Sequence, residues 1–262
     1  MNIHFGTPNS ITAIADAVQL YGGKEFESPT RSTIPMLTLL MHYPNLFNEI
    51  VRQLGFLGEY DLFLEYTVGP FGGRGKPSHS DVMLTAGKDA LAIEGKWTEP
   101  MYPEIKNWPK KGTVKTANQN AVLTGWLNVL GERLGKTFDV TDFGETIYQM
   151  VHRAASAAFV GERPRLAYFL FKPSPDNGAA KPDDIFNKLN DLWDRLGKPA
   201  IFPFHLVEIE AKPLEAYESL RTMKKGKEAT AEAVYAALQD SKPLFHFGSY
   251  RVRHVGRMGD GA

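Results

Sequence analysis

Apolar positions recur along this chain with two different periods. Between Ile34 and Leu54, the residues Leu37, Leu40, Met41, Leu46, Ile50 and Leu54 return at roughly helical spacing, and Pro44 forces a break or a new first turn. Tyr60 to Val68 (YDLFLEYTV) is apolar, aromatic and β-branched, which predicts a strand. Two further strands, 78–84 and 91–97, flank a Gly87-Lys88-Asp89 turn and form a hairpin. Helices follow from about Ala117 to Leu134 and from about Asp142 to Phe159, the second with Asp142 as its cap. The run RLAYFLF at 165–171 fits a buried strand. A helix then starts at Pro182 and stops at Gly197. The stretch IFPFHLVEI at 201–209 is a strand in which Pro203 marks an edge or a start. A short helix within 8–22, with Asn9 or Ser10 as cap, opens the chain. Short helices at about 213–223 and 228–239 and a basic tail close it.

Three consecutive strands followed by alternation predict an α/β protein with a central mixed sheet flanked by helices. The expected division is a helical arm at 1–33, an α/β core at 34–210, and a helical extension with a basic tail at 211–262. Thirty basic residues cancel thirty acidic ones, so any polyanion site must come from local clustering rather than net charge. The chain holds no cysteine, which excludes disulfides and thiolate metal sites and fits a reducing compartment. It has neither a leader-like N-terminus nor a long uncharged apolar run, so the expectation is a soluble cytoplasmic protein with no membrane partner.

The hairpin holds the candidate chemistry. Asp81 stands on its first strand and Glu94-Gly95-Lys96 on its second, and a buried strand rarely carries three such charges without a reason. Residues i and i+2 of a strand share a face, so Glu94 and Lys96 point to the same side. Hard cations such as Mg²⁺ take carboxylate and carbonyl oxygens, which Asp81, Glu94 and the Gly95 carbonyl can supply. A neighbouring lysine can then orient a water and stabilise developing negative charge. A surface hairpin with a cross-strand ion pair is the plain alternative.

Asp81, twelve residues, then Glu94-Gly95-Lys96 on consecutive strands resembles the PD-(D/E)XK motif of the restriction-endonuclease-like superfamily. The likeness covers about residues 34–171 and extends to the helix before the three strands and the helix and strand after them. Ser80 stands where the motif has proline, and Glu99 matches members with a further acidic residue three after the lysine. The resemblance implies a restriction-endonuclease-like core and a nuclease acting on DNA. One or two Mg²⁺ ions, with Mn²⁺ as substitute, would lie at Asp81 and Glu94, and Lys96 would orient the water. It also implies Glu65 as an extra carboxylate and Gln119 as a residue touching the site or substrate, although Leu123 stands where a companion tyrosine is expected.

Around this centre, the loop GPFGGRGKP at 69–77 carries Arg74 and Lys76 toward Asp81. It is no Walker A loop, because Pro70 and Pro77 stand where glycine and Ser or Thr are needed. Lys106, Lys110, Lys111 and Lys115, interleaved with Trp97, Tyr102 and Trp108, offer phosphate contacts and stacking surfaces for nucleic acid. Arg251, Arg253, His254 and Arg257 form a weaker basic patch in the tail. A homodimer would supply two sites for cutting two strands. The rival expectation is a nuclease fold that no longer cuts and serves as a nucleic-acid-binding or assembly module.

Overall fold

The computed structural model describes residues 2–6, 9–108, 113–223, 226–240 and 242–256, with the backbone alone at Gly23 and 113–115. Eight strands form one mixed sheet: β1 (Ile3–Phe5), β2 (Asn9–Ile11), β3 (Asp61–Val68), β4 (Ser78–Ala86), β5 (Asp89–Lys96), β6 (Arg163–Lys172), β7 (Phe204–Pro213) and β8 (Phe245–His254). Their spatial order is β2-β1-β3-β4-β5-β6-β7-β8. Strands β3, β4 and β5 run antiparallel as a meander, whereas β5, β6 and β7 run parallel. The chain is thus an α/β protein with helices on both faces of a mixed sheet.

Two apolar clusters cover the two faces. One packs the helices α1 (Ile14–Val18), α2 (Thr33–His42), α3 (Pro44–Gln53), α7 (Glu215–Arg221) and α8 (Lys227–Gln239) on the sheet. The other packs α4 (Thr113–Leu134), α5 (Tyr148–Val160) and α6 (Pro182–Arg195) on the opposite side. Strand β5 lies between them and is buried from Ala90 through Lys96, so its residues alternate between the two clusters. Ala90 and Ala92 face α4 and α5, while Leu91 and Ile93 face α2 and α3. None of the described helices is long and apolar enough to cross a membrane.

Several boundaries differ from the expected ones. Asn9 and Ser10 cap no helix; they pair in β2, and α1 starts after Ala13, whose N–H bonds to the Asp16 carboxylate. Asp142 does not cap α5. It lies in the 3₁₀ turn Val140–Phe143, which Asp139 caps through Thr141, and α5 begins only at Tyr148. Pro203 marks the start of β7, one of the two expected alternatives, and not an edge strand, because β8 pairs along the outer side of β7. The expected basic tail is β8 itself, whose buried Phe245 and Phe247 alternate with exposed neighbours. Strand β1 pairs with β3 and β8 with β7, so the sheet runs through all three of the expected regions.

Candidate active site

The site lies where β4 leaves β5. Their pairing ends at Val82 and Ile93, just short of Asp81 and Glu94, although β5 continues to pair with β6 through Lys96. In place of a ladder bond, the Gly95 N–H donates to Asp81 Oδ2 at 2.7 Å. The break is also visible in the faces of β4. Ser78 and Val82 are four residues apart and would share a face of a regular strand. Instead Ser78 Oγ bonds with Arg153 and His152 on α5, while Val82 packs in the cluster on the other side. On β3, between the pairs Leu64–Val82 and Tyr66–Ser80, Glu65 takes a left-handed φ of 51°. That conformation costs a non-glycine residue roughly 1–3 kcal/mol, and such strain concentrates at functional positions.

Glu94 is buried and fully engaged. Its Oε1 accepts Lys96 Nζ at 3.0 Å and Gln149 Nε2 at 2.7 Å, and its Oε2 accepts Arg153 Nε at 2.6 Å. Burial alone would favour its neutral form, but Arg153 and Lys96 overcome it and hold the Glu94 pKa below the usual glutamate value. Lys96 is equally buried. Desolvation opposes its charge, and the carboxylates of Glu94 and Asp81 outweigh that, so it stays cationic. Its Nζ also lies 5.2 Å from the centre of the Tyr102 ring, a cation–π contact.

Asp81 and Glu65 have the opposite balance. Burial, then the charges of Glu94 and Glu65, push the Asp81 pKa well up, against the smaller pulls of Arg153 and the Gly95 amide. Burial, then Glu25, raise Glu65 to about 7, with Glu94 adding to the shift and Arg153 opposing it. Glu65 and His79 come within 3.7 Å on the wall of a cleft of about 350 Å³, which Tyr21, Lys24 and Glu25 also line.

These residues fit a small hard cation. Asp81 Oδ1 has no hydrogen-bond partner among the described residues, and burial with the charges of Glu94 and Glu65 disfavours its bare carboxylate. The hydroxyls of Ser80 and Tyr168 are buried without a partner among the described residues, and Tyr168 pairs with Glu94 across β5 and β6. Among the described residues no three His, Asp or Glu side chains converge into a metal cage. Mg²⁺ commonly uses one or two carboxylates and completes its shell with water and substrate phosphate, so a cage is not required.

The structure thus pairs Lys96 with Glu94 and bonds Asp81 to the amide of the intervening Gly95, with Glu65 near enough to raise the Asp81 pKa. Gln119 is different: it is half-buried on α4, and the glutamine that reaches Glu94 is Gln149 on α5. Helix α5 packs on β4, β5 and β6, whereas α4 packs mainly on α5, which explains the exchange. Gln149 and Arg153 are not among the residues the sequence singles out. Their one signal is a Gln and an Arg four apart, on one face of a helix otherwise rich in Ala, Val and Met.

Of the expected phosphate-binding residues, Arg74 and Lys76 are exposed. Their loop is anchored to α4, where the Asn118 side chain bonds both the N–H and the carbonyl of Arg74. Lys106 is paired with Glu104 and Glu145 rather than available to a phosphate. Lys110 and Lys111 lie outside the described residues, as do the Lys115 side chain and Arg257. Trp97 cannot stack on a base: it is fully buried against Tyr217 and Phe245. Arg253 is tied to Asp183 and lies over Phe186. Glu99 joins β5 to α2, one oxygen accepting the Ser32 N–H and hydroxyl and the other the Trp97 N–H.

Fold and site together define an α/β protein with a buried ionic centre at a gap in its sheet. Residues 10–198 match the family described as a domain of unknown function (DUF6946), and the chain belongs to it. The match spans the whole centre, from β2 through α6, and stops before β7. No curated protein and no solved structure matches the chain.

Proposed function

We propose that this protein is a metal-dependent nuclease related to the restriction-endonuclease-like superfamily, hydrolysing phosphodiester bonds in DNA. The observation that carries the reading is the gap between β4 and β5, where the Gly95 N–H, between the ion-paired Glu94 and Lys96, donates to Asp81 and leaves Asp81 Oδ1 unpartnered among the described residues. Asp81 and Glu94 hold Mg²⁺ or Mn²⁺ in this reading, with the Gly95 carbonyl as a further oxygen. When bound, the ion neutralises the phosphate and makes water a better nucleophile. Lys96, kept cationic by its carboxylate neighbours, orients that water and stabilises the charge that develops. Glu65 lies close enough to shift the Asp81 carboxyl and serves as an accessory carboxylate. Arg74 and Lys76, exposed on their anchored loop, contact the phosphate backbone.

Incubation with plasmid, linear and single-stranded DNA, and with RNA, in the presence of Mg²⁺ or Mn²⁺ tests the proposal. Metal-dependent cleavage of DNA by the native protein is expected, with loss in Asp81→Ala and Lys96→Ala. Cleavage unchanged in both variants would sink the assignment. A second reading, a nucleic-acid-binding module that does not cut, is favoured by the full engagement of both Glu94 oxygens. Tight nucleic-acid binding without metal uptake or cleavage would select it.

A further inference from the structure

We propose that Arg153 is a resident cation of this centre, placed on the Glu94 oxygen that a second metal ion would take, so that the site admits one divalent cation, held at Asp81. The inference rests on the nuclease reading for its metal, and its test does not read cleavage.

The guanidinium of Arg153 is held from several directions. Its Nε donates to Glu94 Oε2 at 2.6 Å, and its Nη1 donates to Ser78 Oγ at 2.8 Å. Ser78 Oγ lies 2.8 Å from His152 Nδ1 and 3.1 Å from Ser156 Oγ. The Ser156 hydroxyl is in turn anchored to the His152 carbonyl at 2.7 Å. Arg153, Glu94, Ser78 and Ser156 are all buried. An arginine so fixed cannot leave when a metal arrives without stranding a buried charge.

Glu94 is consequently a restricted ligand. Oε2 belongs to Arg153, while Oε1 is shared by Lys96 and Gln149, so bidentate chelation or bridging of two ions would require breaking these bonds. Asp81 is the reverse case, with one oxygen on the Gly95 amide and the other unpartnered among the described residues. The formal charges agree with this division. Both resident cations, Lys96 and Arg153, pair with Glu94 before any metal enters, and neither forms an ion pair with Asp81 among the described residues. One divalent ion leaves a positive centre suited to an incoming phosphodiester. A second ion would add two more charges beside a guanidinium that cannot move.

Arg153 is therefore a positioning residue: it touches neither the substrate nor the ion, and it sets how many ions Glu94 can serve. Calorimetric titration of Mn²⁺ into the full-length protein and into Arg153→Gln and Arg153→Lys tests this, with circular dichroism to verify folding. The native chain is expected to take up one equivalent. Arg153→Gln is expected to bind the first ion on the order of tenfold more tightly, because a nearby positive charge has gone, and to accept a second. Arg153→Lys keeps the charge and is expected to follow the native chain.

Two equivalents in the native chain would overturn the proposal, and that measurement stands even where Arg153→Gln fails to fold. Equal or weaker binding by folded Arg153→Gln would also overturn it, as would Arg153→Lys behaving like Arg153→Gln. No uptake by the native chain would refute it as well, whether or not Arg153→Gln binds an ion. One bound ion with no cleavage of any nucleic acid would remove the nuclease reading and leave the role of Arg153 standing.

Discussion

The Asp81 carboxylate takes the place of a ladder acceptor for Gly95, receiving its N–H at 2.7 Å where β4 and β5 part. This bond fixes an acidic side chain whose other oxygen has no partner among the described residues. Gly95 allows the approach because a β-carbon there would lie 3.2 Å from Asp81 Oδ2 and 3.3 Å from Met36 Cε. Gly95→Ala is therefore expected to displace Asp81 and weaken Mn²⁺ binding on the order of tenfold, while small-to-large strain lowers stability by only about 1–3 kcal/mol. Calorimetry together with thermal melting checks it; unchanged affinity would show that the Asp81–Gly95 contact does not set the metal site.

Stability should fall as pH rises. Asp81 and Glu65 have folded pKa values above their ordinary ones, so the folded state holds their protons more tightly than the unfolded chain does. The resulting stabilisation is complete below the ordinary carboxyl range, and the Glu65 part is lost as pH passes through about 7. Melting curves at pH 5 and pH 8 should differ by several degrees or more, with the lower midpoint at pH 8. Asp81→Asn should narrow that difference. A divalent cation should raise the midpoint more at pH 8 than at pH 5, because it competes with protons for the same carboxylates.

Lys96 and Glu94 should separate function from stability. Lys96→Ala leaves Glu94 bonded to Arg153 and Gln149, so the fold should persist while cleavage is lost. Glu94→Ala strands two buried cations and should cost about 3–5 kcal/mol. Comparing the two denaturation midpoints checks the ordering, and equal losses would contradict it.

The meander and its charges are legible in the sequence because they are local. Strands β3 to β5 follow one another with a single turn at Gly87 between the last two, and the alternation of β5 alone puts Glu94 and Lys96 on one face. Gln149 and Arg153 are not legible, because α5 reaches Glu94 only through the long crossover between the parallel strands β5 and β6. Gln119 stands out in place of Gln149 for the same reason: position along the chain does not reveal which of two consecutive helices packs more closely on β4, β5 and β6. Strand β8 is masked by Arg251, Arg253 and His254, which read as a basic tail and obscure the period-two alternation of Phe245 and Phe247. The left-handed Glu65 has no sequence signature, since glutamate is not a residue that favours positive φ.

Whatever the substrate, an Mn²⁺-soaked crystal would show whether a divalent cation binds at Asp81 beside Glu94 and Lys96. One anomalous peak is expected at about 2.1 Å from Asp81 Oδ1, with Lys96 Nζ nearby and Arg153 still on Glu94. A centre that remains without a peak at saturating Mn²⁺, or a peak that forms without Asp81, would contradict it.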